Sequence, residues 1–125
     1  MFTGNFKFGQ LNEELVALKA SENAPSSSYY YGMVVPDETF EDYCRYSCVT
    51  GQGWVVNDPA DGSIRVGSGL GFAGERWIWT LLHELGHMHG LGHAPCGTDG
   101  EAGYPYGDGS IGVWGFDERS GEFLN

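Results

Sequence analysis

The sequence predicts a single α+β domain over residues 1–125, and three stretches carry that reading. Leu11, Leu15 and Leu18 recur at the i, i+4, i+7 spacing of one apolar helix stripe. Tyr29 to Val35 is a run of strand formers closed by Pro36. From about Glu75, the residues Trp77, Ile78, Leu81, Leu82 and Leu85 return at helical spacing as far as Gly90, which is suited to ending a helix in left-handed geometry.

Taken in order, Leu11–Ala20 forms a short amphipathic helix with Asn12 as its candidate cap. The polar stretch Ser21–Ser28, which contains Pro25 and three consecutive serines, leads over the surface into a core strand at Tyr29–Val35. The acidic segment Asp37–Asp42 passes Cys44 and Cys48 to turns at Gly51 and Gly53. Trp54–Val56 and Ile64–Val66, joined through Asp58–Ser63, make a predicted hairpin. Gly67 to Gly71 lacks the Gly-Lys-Ser/Thr ending of a phosphate loop and reads as a loop or edge strand. In the second helix Trp77 and Trp79 are assigned to the core. Gly86 costs that helix about 1 kcal/mol relative to Ala, which suggests a second backbone passing close by. Beyond Ala94, glycine, aspartate and aromatics follow without periodicity, so irregular loops are expected, with a strand at Ile111–Trp114.

Composition narrows the function. A formal charge of −11, from 17 acidic against six basic residues, repels polyanions and excludes nucleic acid as a partner. No stretch approaches the roughly 18 apolar residues of a membrane span, so no membrane insertion is expected, and the chain is read as a monomer. The three cysteines are an odd count. Cys44 and Cys48 are expected to form a local disulfide, which favours an oxidising compartment, and Cys96 is left over. The N-terminus has no basic region followed by an apolar run, so no signal peptide is expected within this sequence.

The chemistry concentrates in His83-Glu84-Leu85-Gly86-His87. Residues four apart on a helix share a face, so both imidazoles can reach one metal ion. A catalytic zinc takes three protein ligands and keeps a fourth position open. His93 can supply the third, because Gly90 lets the chain turn sharply out of the helix. Glu84 is rotated by about 100° from His83 and stands beside the metal as a general base for a zinc-bound water.

Residues His83–His93, H-E-L-G-H-M-H-G-L-G-H, resemble the extended zinc signature H-E-x-x-H-x-x-G-x-x-H of the metzincin peptidases, matching all five specified positions. The segment from Cys96 to about Gly115 further resembles secreted or surface-associated bacterial members. The resemblance implies a zincin-like fold, with a twisted mixed sheet, an N-terminal helix, a zinc-binding active-site helix and a loop-rich C-terminal part. It makes His83, His87 and His93 the ligands of Zn2+, Glu84 the catalytic base and Gly90 the turn residue. It also implies a secreted or cell-surface zinc endopeptidase acting on a polypeptide that lies along an edge strand, for which Ile64–Phe72 is the candidate. Metzincins carry a methionine turn after the third histidine, whereas the methionines here are Met1, Met33 and Met88. The C-terminal subdomain is therefore expected to be incomplete. That departure supports an alternative reading, a zinc-stabilised binding module with absent or vestigial catalysis.

Other residues receive lesser roles. His89 points away from the ligand face. Asp99, Glu101, Asp108 and Asp117 lie among glycines as calcium ligands do, without an EF-hand pattern, so calcium is a secondary candidate. Tyr104 and Tyr106 are candidates to polarise a substrate carbonyl.

Overall fold

The computed structural model describes residues 6–58, 60–74, 76–94 and 115–124. Its internal contacts divide the chain into two compact units, Met1–Leu91 and Gly92–Asn125. The first unit runs helix α1 (Phe8–Ser21), strand β1 (Tyr30–Val34), a short helix α2 (Phe40–Tyr43), strand β2 (Gly51–Gly53), a 3-10 turn (Gly62–Ile64), strand β3 (Val66–Leu70) and helix α3 (Arg76–Met88). The second holds a hairpin of β4 (Gly115–Asp117) and β5 (Glu122–Leu124). The α+β class is the one the sequence predicts.

Three strands of the first unit form a mixed sheet in the order β1-β3-β2. β1 runs parallel to β3, with Tyr30 opposite Val66 and Val34 opposite Leu70, and β2 runs antiparallel, with Gly51 opposite Gly69. The assignment of Ile64–Phe72 as an edge is therefore corrected: β3 is the central strand, and all five of its residues are buried. Its small and apolar residues can be covered on both faces, as a doubly covered strand requires. The predicted hairpin is corrected at both strands: the antiparallel pair is Gly51–Gly53 with β3, in place of Trp54–Val56 with Ile64–Val66, and Ile64 closes a 3-10 turn. The Trp54 amide still reaches the Val66 carbonyl at 3.3 Å, after which the Val56 amide turns to the His87 carbonyl at 3.2 Å. Val56, a strand former by type, thus serves the helix junction instead of the ladder.

Each sheet face receives one helix. α1 packs its leucines over Gly32, where an added Cβ would lie 3.0 Å from Leu11 Cδ2. Asn12 is not the cap, since the helix begins at Phe8. It is fully buried, donates from Nδ2 to the Gln52 carbonyl at 2.9 Å and accepts from Ser68 Oγ at 2.7 Å. Buried polar atoms require such partners, and these tie α1 to β2 and β3 together. The opposite face meets α3 closely. A Cβ on Gly53 would stand 2.4 Å from the Glu84 carbonyl oxygen, and one on Gly51 would stand 2.8 Å from Glu84 Oε1. Only glycine lets helix and strands approach this far.

The apolar core gathers Phe8, Tyr43, Leu70 and Trp77, flanked by Phe40 and Phe72. Cys44 and Cys48 pack against it and form the expected disulfide. Trp77 is 5% exposed, but Trp79 is 69% exposed, which corrects its assignment to the core. The two are about 200° apart around a helix of roughly 3.6 residues per turn, so one helix face cannot bury both. In the second unit, Asp117 accepts from the Arg119 amide at 2.9 Å and from Ser120 Oγ at 3.0 Å, so it organises the hairpin turn. The strand expected at Ile111–Trp114, together with Cys96, Asp99, Glu101, Tyr104, Tyr106 and Asp108, lies outside the described residues.

Lys19 is buried near the end of α1, where its ammonium donates to the Gly62 carbonyl at 2.6 Å and to the Ser28 carbonyl. Burial, and next the charge of Arg65, lower its pKa from the ordinary lysine value. Lys19→Met should leave the Ser28 carbonyl without this donor and the Gly62 carbonyl with the Arg65 amide at 3.3 Å, and destabilise the protein by about 1–3 kcal/mol, read as a fall in the urea unfolding midpoint.

Candidate metal centre

The histidine geometry begins with the way α3 stops. Gly90 has φ +89°, its amide donates to the His87 carbonyl at 2.8 Å, and the Leu91 amide donates to the Gly86 carbonyl at 3.0 Å. This pair of bonds is the Schellman arrangement, which requires a left-handed residue after the helix and so selects glycine. The turn also has no room for a side chain, since a Cβ on Gly90 would lie 2.7 Å from the Val56 carbonyl oxygen. Gly86 does not show the close backbone approach that the sequence suggested, and a Cβ there would meet only ordinary contact. Among the described residues no second backbone comes within 4 Å of the place of its Cβ; the Leu91 side chain folds back over it, with Cδ1 at 3.8 Å.

The same turn delivers the Leu91 carbonyl to His87 Nδ1 at 2.7 Å. A carbonyl only accepts, so Nδ1 carries the proton and Nε2 presents its lone pair. That Nε2 lies 3.2 Å from His83 Nε2, with the rings nearly perpendicular at 86°. Ligand atoms of His83, His87 and His93 all fall within 4.8 Å of one another, so these three histidines could hold a metal ion. Two nitrogens bound tetrahedrally at about 2.0–2.1 Å from one zinc would stand roughly 3.4 Å apart, close to the spacing found. The donor set therefore fits a divalent transition metal. His83 and His93 are exposed and His87 is buried, which leaves the group open on its solvent side.

Glu84 sits on the buried side of α3, 5% exposed, between the helix and β2. Burial raises its pKa above the ordinary carboxylate value, while the neighbouring His87 imidazole and a hydrogen bond from the Gly53 amide pull it back in part. Tyr31 shares this layer, and its phenol is pushed up to about 12, first by burial and then by the charge of Glu84. Neither Tyr31 nor the glycines of β2 stood out in the sequence. A tyrosine in a strand reads as core, and the partner of a glycine in close approach is set only by the fold.

His89 is kept apart from the trio, as its helix position implied. Its ring stacks on Tyr29 at 4.9 Å and its Nδ1 faces the Tyr29 hydroxyl at 3.3 Å. Arg65 donates to that hydroxyl at 2.9 Å and to the Met88 carbonyl at 3.1 Å, which braces the end of α3.

A family profile described as Peptidase M66 matches residues 48–125, a stretch that includes Glu84 and all three histidines. Dictomallein-2 of Dictyostelium discoideum is 42% identical over 60 residues, 46% of this chain and 10% of that protein. Dictomallein of Burkholderia mallei is 43% identical over 63 residues, 48% of this chain and 9% of that protein. The chain thus spans about a tenth of the length of the curated relatives it matches. No solved structure is significantly similar.

Gly90→Ala should cost the fold at least about 1–2 kcal/mol through strain at positive φ, and should weaken metal affinity by loosening the Leu91 contact to His87; a thermal melt and a metal titration read the two effects. Because burial raises Glu84 above its ordinary value of 4.5, its contribution to stability is full below that pH and is lost as pH rises through the folded-state value. Metal-free Glu84→Gln should therefore be more stable than the parent at neutral pH, and the difference should close on acidification, as followed by melting temperature against pH.

Proposed function

Because the chain belongs to the peptidase M66 family, we propose that it is part of a zinc-dependent endopeptidase in which His83, His87 and His93 hold the metal and Glu84 is the general base. The observation that carries the proposal is the convergence of three imidazoles within 4.8 Å, one with its tautomer set by Leu91, directly beside a buried carboxylate on the same helix. A zinc ion supplies Lewis acidity toward a peptide carbonyl and brings the pKa of water to about 7. Glu84 takes the proton released as water adds to the carbonyl and hands it to the departing amine. Burial raises its pKa above the ordinary carboxylate value, which makes the carboxylate a stronger proton acceptor than an exposed one. The Gly53 amide orients the carboxylate, and the Leu91 carbonyl orients His87.

The metzincin signature supports zinc over other divalent metals and a polypeptide as the substrate. The disulfide between Cys44 and Cys48 supports a secreted or cell-surface location, and no described helix is long and apolar enough to cross a membrane. A second reading, a zinc-stabilised binding module, draws on the burial of Glu84 and its existing bond to Gly53, which also suit a purely structural carboxylate.

Zinc content and cleavage of a denatured protein substrate, measured beside Glu84→Gln, separate the two readings. The proposal expects one zinc in both forms and a fall in kcat/KM of about 10²–10⁴ in the variant. Equal zinc with no cleavage by either form would hand the site to the binding-module reading.

A further inference from the structure

Tyr31 has a hydroxyl that the fold buries and leaves without a hydrogen-bond partner among the described residues. Leaving a buried hydroxyl unsatisfied costs about 1–3 kcal/mol, and phenylalanine would fill the same space without that cost. The ring lies on the α3 face of the sheet. Tyr31 pairs with Gly67, its Cδ2 is 3.4 Å from the place of a Cβ on that glycine, and its hydroxyl is 2.2 Å from the place of a Cβ on Gly69. The hydroxyl thus occupies the volume that the side chain of residue 69 would take.

Glu84 does the same one strand away. Its Oε1 lies 2.8 Å from the place of a Cβ on Gly51, and Gly51 is the residue directly opposite Gly69. Cβ positions of directly opposed residues are about 4.5–5.5 Å apart, so phenol and carboxylate fill adjoining vacancies over one cross-strand pair. Thr80 Cγ2 borders both, 3.1 Å from the Gly69 position and 2.8 Å from that of Gly51. The phenol is a donor in want of an acceptor, beside a carboxylate that can accept more than the Gly53 amide offers.

We infer that Tyr31 is a positioning residue for Glu84, its hydroxyl donating the hydrogen bond that holds the carboxylate in place as the base works. Catalytic hydrogen bonds often lie long in a resting enzyme and tighten in the substrate complex. The inference rests on the reading of Glu84 as the base, and it can be tested with and without that reading.

Tyr31→Phe keeps the ring and removes only the hydroxyl. If the hydroxyl positions the base, kcat falls on the order of tenfold with KM within a factor of about two, while zinc content is unchanged and the melting temperature is unchanged or higher. A fall in melting temperature with kcat intact would mark a packing role and overturn the inference. A second readout needs no turnover. The carboxyl-carbon NMR resonance of Glu84, identified by its loss in Glu84→Gln, should move in zinc-loaded Tyr31→Phe more than that of any other glutamate. An unmoved resonance overturns the inference whether or not the protein cleaves peptides, whereas a moved resonance in an inactive protein upholds the contact and removes only the catalytic role of Glu84.

Discussion

The close approach of α3 to the sheet is the constraint on which the rest depends. It is made possible by the absence of side chains at Gly51 and Gly53, where the Glu84 carboxylate and backbone come within 2.8 and 2.4 Å of the missing Cβ positions. Bringing a helix that close orders what lies along it. Glu84 is carried into the interface and the Gly53 amide finds it there, while His83 at the neighbouring position is turned outward. The division of labour between a buried carboxylate and an open imidazole group is thus a consequence of helical rotation against a flat, glycine-lined surface.

The other face anchors the same sheet by different means. Asn12 and Ser68 link α1 to the central strand through buried side-chain hydrogen bonds, and Lys19 gathers two carbonyls at the far end of that helix. A fully satisfied buried polar network gives less net stability than apolar packing but admits fewer alternative registers. With only five residues in β3, a one-residue slip would turn Ser68 toward α3 and a glycine toward Asn12, so the network fixes the register that the short strand alone would leave weakly specified.

Much of this was legible in the sequence, for reasons that can be named. α1 and α3 announced themselves through apolar periodicity, whereas the four residues of α2 are too few to show a period, and Gly90 stood out through the requirement for a left-handed residue. The three histidines were visible as a candidate group because i, i+4 spacing on a helix is a local property, and the structure does bring their ring nitrogens within 4.8 Å of one another. What failed was non-local. The run Val66–Leu70 looked like an edge because its glycines resemble a loop, yet those glycines mark where α3 and the Tyr31 ring press in. Asn12 resembled a cap because its role is decided by Gln52 and Ser68, forty or more positions away. Tyr31 gave no signal at all, since its meaning comes from an opposed glycine pair that only strand register defines.

The hydrogen bond from His87 to Leu91 has a further consequence, for the genetics of the site. Groups that steady a side chain are usually found by exchanging residues one at a time and watching the effect. Here the steadying group is a main-chain carbonyl, which every amino acid possesses, so no replacement at position 91 removes it. Its vulnerability is displaced by one residue, to the glycine that sets the course of the backbone. A survey of substitutions would record position 90 as intolerant and position 91 as permissive, although it is the carbonyl of 91 that touches the imidazole.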